Sequence, residues 1–327
     1  MVGKMIFSIV LIISGLSIGY SVSLLTEKGK LDLFTDLPEL RKTLQKGVLL
    51  YIIPITVMGA LWIVDFNDSR LIFFPAMGIV HYFAGGFLAI GAAFAMKAER
   101  KKTGSLFCSG FFTNIGSVGG LITFILIGEE GYALVPFYKL FAEVIYYSVG
   151  FPIASYFGHK RQEKENFAEV IARLARDPFI RAAVSAVVIG TFLNFTGIER
   201  PEFYSYVNAL LIPFASFVML TAIGLGMRFS RIRYYLKEIL CIVVIRSVFL
   251  PAILITLALI AGFGEVSSGL PLKVIIVLSF MPAAFITLLP ASIYDLDLDL
   301  ANACWLASTL SVIIFIPVIY KLINLLT

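Results

Sequence analysis

Apolar residues run along this chain in blocks of about twenty, the length needed to cross a bilayer as a helix. Short charged turns separate the blocks. They fall at Met5 to Leu25, Gly47 to Val64, Leu71 to Met96, Ser105 to Leu126, Leu134 to Tyr156, Phe179 to Thr196, Tyr204 to Leu225, Ile239 to Ile260, Lys273 to Tyr294 and Ala301 to Leu326. None shows the alternation of a strand, which excludes a transmembrane barrel. The pattern predicts an all-α polytopic membrane protein of ten transmembrane helices. The first block has only Lys4 before it and no small-residue cleavage site, so it is read as a helix and not as a cleaved signal.

Composition sharpens this reading. With 59% hydrophobic and 14% charged residues and a mean hydropathy of +0.95, the 327-residue chain leaves no room for a soluble domain, so the membrane part must carry the function. Cys108, Cys241 and Cys304 all lie in apolar stretches without CxxC spacing and read as packing residues, with no metal site. The net charge of +5 sits in short loops, which makes it a topology signal and not a nucleic-acid one.

When loops are placed on alternate sides, one side collects Lys28, Lys30, Arg41, Lys42, Lys46, Lys97, Arg100, Lys101, Lys102, Lys160, Arg161, Lys164, Arg173, Arg176, Arg181, Arg228, Arg231, Arg233 and Lys237. The other side holds Lys4, Arg70, Arg200, Lys273 and Lys321. The basic side is expected to be cytoplasmic, with both termini outside, in a cell membrane.

The halves of the chain also resemble each other. Arg70 to Pro75 and Arg246 to Pro251 both read R-x-[IV]-F-[FL]-P. Ile53-Pro54 answers Ile212-Pro213, and Phe151-Pro152 answers Ile316-Pro317. Five helices per half is an odd number, so the second copy enters the membrane from the opposite face, giving two inverted five-helix repeats. The expected division is 1–157 for the first repeat, 158–178 for an amphipathic linker and 179–327 for the second repeat. Two connectors look like cytoplasmic surface helices. One carries Leu33, Phe34, Leu37, Leu40 and Leu44 around a Thr35-Asp36-Leu37-Pro38 helix start, and the other carries the stripe Phe167, Val170, Ile171 and Leu174.

The fourth block contains a polar, glycine-dense run, Asn114, Gly116, Ser117, Gly119 and Gly120, where Leu or Ala would be expected. Such a run loosens backbone where lipid offers no hydrogen bonds, which is tolerated only if the break is buried or faces a cavity. The ninth block has Met281-Pro282-Ala283-Ala284 and Pro290, which remove backbone donors. Matched interruptions in an inverted repeat point to a transport site, because helix N-termini there can face an anion. The alternative is that the glycines only permit close helix packing.

Phe112 to Pro152, with Asn114-x-Gly116-x-x-Gly119 and then Ile127 to Ala133, resembles the first crossover region of the auxin efflux carrier family of permeases. So do Asp177-Pro178, the Pro213 helix, Arg246 to Pro251, Met281 to Tyr294, Ser308 to Ser311 and Pro317, in order over nearly the whole chain. The resemblance implies a fold similar to bile acid/sodium symporters, with broken fourth and ninth helices crossing at the centre. It implies a secondary transporter of a small organic anion such as auxin or malate, working by alternating access, with helices 1, 2, 6 and 7 as scaffold. It places Asn114 on the family's crossover asparagine and gives Asn114, Gly116, Gly119, Gly120, Pro282 and Ala283 as substrate contacts. Where the family carries proline, this chain has Leu121, so the first break is expected to depend on Gly119 and Gly120.

Ionisable residues inside spans are functional candidates. Lys139 and Glu143 lie four apart on the fifth helix, either as an anion-attracting and proton-exchanging pair or as a pair that neutralises itself. His81 reads as a core histidine donating to a carbonyl, or as a proton-coupling group. Arg246 lies about 10 Å inside the eighth span at helical rise, where it snorkels, caps carbonyls or meets substrate. Glu129-Glu130 and Asp295, Asp297 and Asp299 precede helices and suit their dipoles better than a cation site.

The partners expected are the anion, the lipid bilayer, and a proton or sodium ion as coupling ion. No cofactor and no nucleic acid are implied, and a homodimer stays open. The alternatives are a sodium-coupled symporter of the bile acid type and, from another class, a membrane-embedded lipid-modifying enzyme built on the Asp295 to Asp299 cluster. No P-loop is present.

Overall fold

The computed structural model describes residues 2–30, 36–66, 68–158, 167–229 and 232–326. Leu33, Phe34, Thr35, Lys160, Arg161, Lys164, Arg231 and the side chain of Phe167, all used in the sequence reading, lie outside the described residues. Among the described residues the structure is all-helical, with a single isolated β-bridge and no strand.

The chain opens with α1 (Val2–Glu27), α2 (Leu37–Gly47) and α3 (Ile53–Leu61). Next come α4 (Phe74–Ala95), α5 (Arg100–Phe111), α6 (Gly120–Leu126), α7 (Glu129–Tyr138), α8 (Ala142–Ile145) and α9 (Phe151–Phe157). After α10 (Phe167–Arg176) come α11 (Pro178–Phe195), α12 (Phe203–Gly224), α13 (Leu236–Val244) and α14 (Leu250–Ile260). The series ends with α15 (Leu270–Ser279), α16 (Leu288–Ile293) and α17 (Leu298–Leu326).

Several of these are pieces of longer rods. Single π turns, Val48–Ile52, Tyr146–Gly150 and Ile245–Phe249, join α2 to α3, α8 to α9 and α13 to α14. Each precedes a proline, Pro54, Pro152 or Pro251, in the first turn of the next α segment. Proline has no N–H for the carbonyl four residues back and crowds it sterically, so one wider turn carries the rod past the defect. Pro213 and Pro317 instead lie inside uninterrupted α-helix, and Pro75 follows a 3₁₀ turn. The prolines that match between the halves in sequence therefore differ in local geometry.

Among the described residues, eight helical runs are long and apolar enough to cross a membrane: Gly3–Glu27, Leu37–Leu61, Ser69–Ala95, Glu129–Phe157, Pro178–Phe195, Phe203–Gly224, Ile232–Ile260 and Leu298–Leu326. Large apolar side chains such as Phe87, Phe192, Leu210, Ile260 and Ile314 are exposed on their outer faces, as an integral membrane protein requires. The fourth and ninth sequence blocks are divided into shorter helices. The twelve residues of α5 reach only about 18 Å, well short of the ~30 Å apolar core.

Two local expectations are corrected. The segment read as a separate surface helix, α2, is the first part of the Leu37–Leu61 run, capped by Asp36, whose side chain accepts from the Glu39 N–H at 3.0 Å. Its amphipathic start is thus an extension of the second block. In addition, Lys139 and Glu143 do not share a continuous helix. α7 contains Pro136 and ends at Tyr138, and a turn over 139–141 precedes α8, so helical i,i+4 spacing does not apply to the pair.

By its contacts the chain divides into two compact units. The first comprises Met1–Asn67, Gly116–Pro136 and Ala175–Met227. In it α1 packs along α12, and α3 lies against α11 and α12. Asn194 Nδ2 donates to the carbonyls of Leu61, Trp62 and Val64 (3.1, 2.9 and 2.8 Å), closing the C-terminal end of α3. Arg200 donates to both carboxylate oxygens of Glu129 and to the Gly59 carbonyl, and Asn208 donates to Glu129 and to the Thr56 carbonyl. Glu129 therefore anchors the start of α7 as well as suiting its dipole.

The second unit comprises Asp68–Ile115, Phe137–Leu174 and Arg228–Thr327. Its core joins Ala89 and Ala93 of α4, Leu106 of α5, Ile239 and Ile242 of α13, and Leu300, Ala303 and Cys304 of α17. Cys108 and Cys304 are buried free thiols, and Cys241 is a half-buried one. α4 and α5 meet backbone to backbone. A Cβ at Gly85 would lie 2.2 Å from the Gly110 carbonyl oxygen and one at Gly110 would lie 2.3 Å from that of Gly85, so only glycine fits at either position.

Candidate functional site: a crossing of two extended peptides

Within the second unit, the interruptions of the fourth and ninth blocks meet. The chain leaves α5 at Phe112 in extended conformation and stays non-helical through Asn114, then turns helical again at Ile115. The partner segment is non-helical from Phe280 to Ala284 and resumes as a 3₁₀ turn at Phe285–Thr287. Thr113 and Ala283 form an antiparallel bridge. The Asn114 N–H donates to the Pro282 carbonyl at 2.8 Å, and the Ala284 N–H donates to the Phe112 carbonyl at 2.9 Å. Two extended peptides thus satisfy each other where lipid and helix cannot.

The remaining polar groups of the crossing are met by side chains. The Thr113 N–H donates to the Tyr146 hydroxyl at 3.1 Å, and the Ala283 N–H donates to the Ser308 hydroxyl at 3.2 Å. Tyr146 comes from the fifth block and Ser308 from the tenth, so each broken segment receives one hydroxyl from the block that follows it.

The carbonyls converge on Arg246, which is only 2% exposed. Its Nε donates to the Ser109 carbonyl (2.9 Å), and Nη1 donates to the Met281 carbonyl (2.9 Å) and the Thr113 Oγ1 (3.3 Å). Nη2 donates to the carbonyls of Ser109 (2.7 Å), Phe112 (2.8 Å) and Gly110 (3.2 Å). Of the roles expected for Arg246, the structure displays carbonyl capping. The C-terminal end of α5 presents its last carbonyls, the negative pole of the helix, and the guanidinium fork reaches several at once. Every one of these acceptors is a neutral oxygen, so the positive charge at the crossing has no carboxylate partner among the described residues.

The other predicted residues are placed as follows. Asn114 is buried in the crossing itself, with its backbone N–H on Pro282, and Pro282 and Ala283 belong to the second extended peptide. The break falls at Phe112–Asn114 and not at Gly119–Gly120 as expected from Leu121. Gly116 and Gly119 lie in a π turn that follows the break, and Gly120 begins α6. Gly119 has ordinary helical angles, and the missing side chain at Gly120 leaves room for the Tyr132 ring, 3.2 Å from where a Cβ would stand. The bridge to Ala283, not glycine freedom, lets the helix open.

His81 is fully buried, and its Nδ1 lies 3.1 Å from the Tyr138 hydroxyl, where a backbone carbonyl was expected. Its Nε2 has no hydrogen-bond partner among the described residues. Asp297 caps α17 through the Leu300 N–H (2.9 Å) and accepts from the Tyr235 hydroxyl (3.1 Å), while Asp295 pairs with Lys101 at 2.6 Å. Tyr146 carries no warning in the sequence, since isolated hydroxyls are ordinary in membrane helices, while Ser308 was marked only as part of the Ser308 to Ser311 resemblance.

No family model matches the chain. An uncharacterized transporter of Methanothermobacter thermautotrophicus is 22% identical over 276 residues, covering 84% of this chain and 86% of that protein. A second uncharacterized transporter, from Methanocaldococcus jannaschii, is 22% identical over 243 residues, covering 73% of this chain and 72% of its own length. This polytopic helical membrane protein is therefore similar, along most of its sequence, to proteins described as transporters.

Proposed function

We propose that the chain is a secondary transporter that carries a small organic anion, a carboxylate of the auxin or malate class, by alternating access. The observation that supports this reading is Arg246, a buried cation whose hydrogen-bond acceptors are all neutral oxygens, at the crossing where two membrane segments lose their helical hydrogen bonds. A carboxylate arriving at the crossing would supply a countercharge to the guanidinium. Asn114, Pro282 and Ala283 line its approach, and the helices that restart at Ile115 and Phe285 offer N-terminal amides. Gly116, Gly119 and Gly120 belong to the helical stretch that follows the crossing and fall in the first compact unit.

In this proposal 1–157 and 179–327 are the two inverted repeats joined by 158–178, the basic loops face the cytoplasm, and both termini are outside. The first, second, sixth and seventh blocks form the scaffold against which the third to fifth and eighth to tenth move, as the resemblance implies. One compact unit holds the first, second, sixth and seventh blocks, and with them 116–136, which belongs to the fourth and fifth. Uptake of labelled mono- and dicarboxylates into vesicles, with and without proton and sodium gradients, tests the reading and separates it from sodium-coupled symport. Asn114→Ala is expected to abolish uptake while leaving insertion and melting temperature intact. Unchanged uptake removes Asn114 from the site.

A further inference from the structure

A groove of about 770 Å³ runs along the outer face of the second unit, between α4 and the α13–α14 rod. Ala84, Leu88 and Gly91 form one wall, and Leu240, Val244 and Phe249 form the other. A Cβ at Gly91 would meet nothing within 4 Å, so the groove is open there. Its lining is apolar except at one end, where Lys237 stands in the first turn of α13. Lys237 is exposed and has no ion pair or hydrogen bond among the described residues. The neighbouring carboxylate of Glu238 is taken by Lys102, 3.6 Å away, whose ammonium also lies 5.5 Å from the centre of the Tyr235 ring.

We propose that this groove is a binding site for an anionic phospholipid of the leaflet on the basic side, with one acyl chain in the groove and its phosphate on Lys237. From Lys237 to Ile253 the wall rises about 24 Å at helical pitch, more than the ~15 Å depth of one leaflet's apolar half, so a whole chain is accommodated. Lipid tails are as apolar as the groove, so the tail alone gives little selectivity. Selection rests on the headgroup, because a single lysine at the membrane surface favours an anionic lipid about fivefold. This site is separate from the crossing and does not depend on which solute is carried.

The test is native mass spectrometry of the purified protein incubated with equal amounts of phosphatidylglycerol and phosphatidylcholine. The wild type is expected to retain phosphatidylglycerol about fivefold over phosphatidylcholine. Lys237→Gln should bring the two to parity, Gly91→Phe should lower retention of both, and Lys30→Gln, at another exposed lysine, should change neither. Lys237 and Gly91 are both exposed, so these variants are expected to melt like the wild type. Equal retention of the two lipids by the wild type, an undiminished preference in Lys237→Gln, or a protein free of lipid because a second copy covers the groove would each overturn the proposal.

Discussion

Replacing Arg246 by methionine removes the group that holds the crossing together while keeping comparable length. The carbonyls of Ser109, Gly110 and Met281 lose the guanidinium, whereas the Phe112 carbonyl keeps the Ala284 N–H. A buried acceptor left unsatisfied costs about 1–3 kcal/mol, so three of them cost roughly 3–9 kcal/mol. Native proteins hold only about 5–15 kcal/mol in all. Relief of the arginine's own desolvation offsets part of this loss, which places the expectation near the lower figure. At about 2 °C per kcal/mol for a large chain, Arg246→Met should melt at least ~6 °C below the wild type in a fluorescence-detected thermal assay in detergent. Arg246→Lys keeps the charge but offers three donors, so it should fall between the two and keep some anion affinity. An Arg246→Met protein that melts within about 1 °C of the wild type and still binds anion would refute both the clamp and its part in the site.

The other expectations are smaller. Ser308→Ala removes the hydroxyl that receives the Ala283 N–H and should lower stability by about 1–3 kcal/mol, read from the melting temperature; Ser308→Thr should restore much of it. Glu143→Gln should flatten the pH dependence of uptake if this carboxylate exchanges a proton with each cycle, and an unaltered profile would leave Glu143 structural. At Asp68, hydrogen bonds from the Arg70 side chain and backbone hold the carboxyl below its ordinary pKa. Because the folded value is the depressed one, the stability it contributes is complete above the ordinary ~3.9 and is lost as pH falls through the lowered value. The melting difference between wild type and Asp68→Asn should therefore be constant from pH 8 to 5 and shrink only below pH 4.

The membrane class, most spans and the two weakened segments were legible in the sequence because hydropathy and helix-breaking residues act locally. The position of the first break was not. Glycines at 116, 119 and 120 looked like the weak point, yet the helix opens at Phe112–Asn114 because a distant peptide at Pro282–Ala284 replaces the lost hydrogen bonds there. The same applies to Lys139 and Glu143. Their spacing promised one helical face, and a turn beginning three residues beyond Pro136 separates them. Arg246 was visible as an anomaly, but all its acceptors except the Thr113 hydroxyl are main-chain oxygens, from residues more than thirty positions away, which no side-chain pattern announces.

Nearly all of what the guanidinium grips is common to every amino acid. Ser109, Gly110, Phe112 and Met281 contribute through their carbonyls, and only Thr113 engages through a side-chain oxygen. The knot therefore demands the identity of Arg246 and, for its packing on Gly85, of Gly110, and mainly the path of the others. Under the proposed function, the surfaces flanking it are free to vary, and with them which solute is accepted, without untying the crossing.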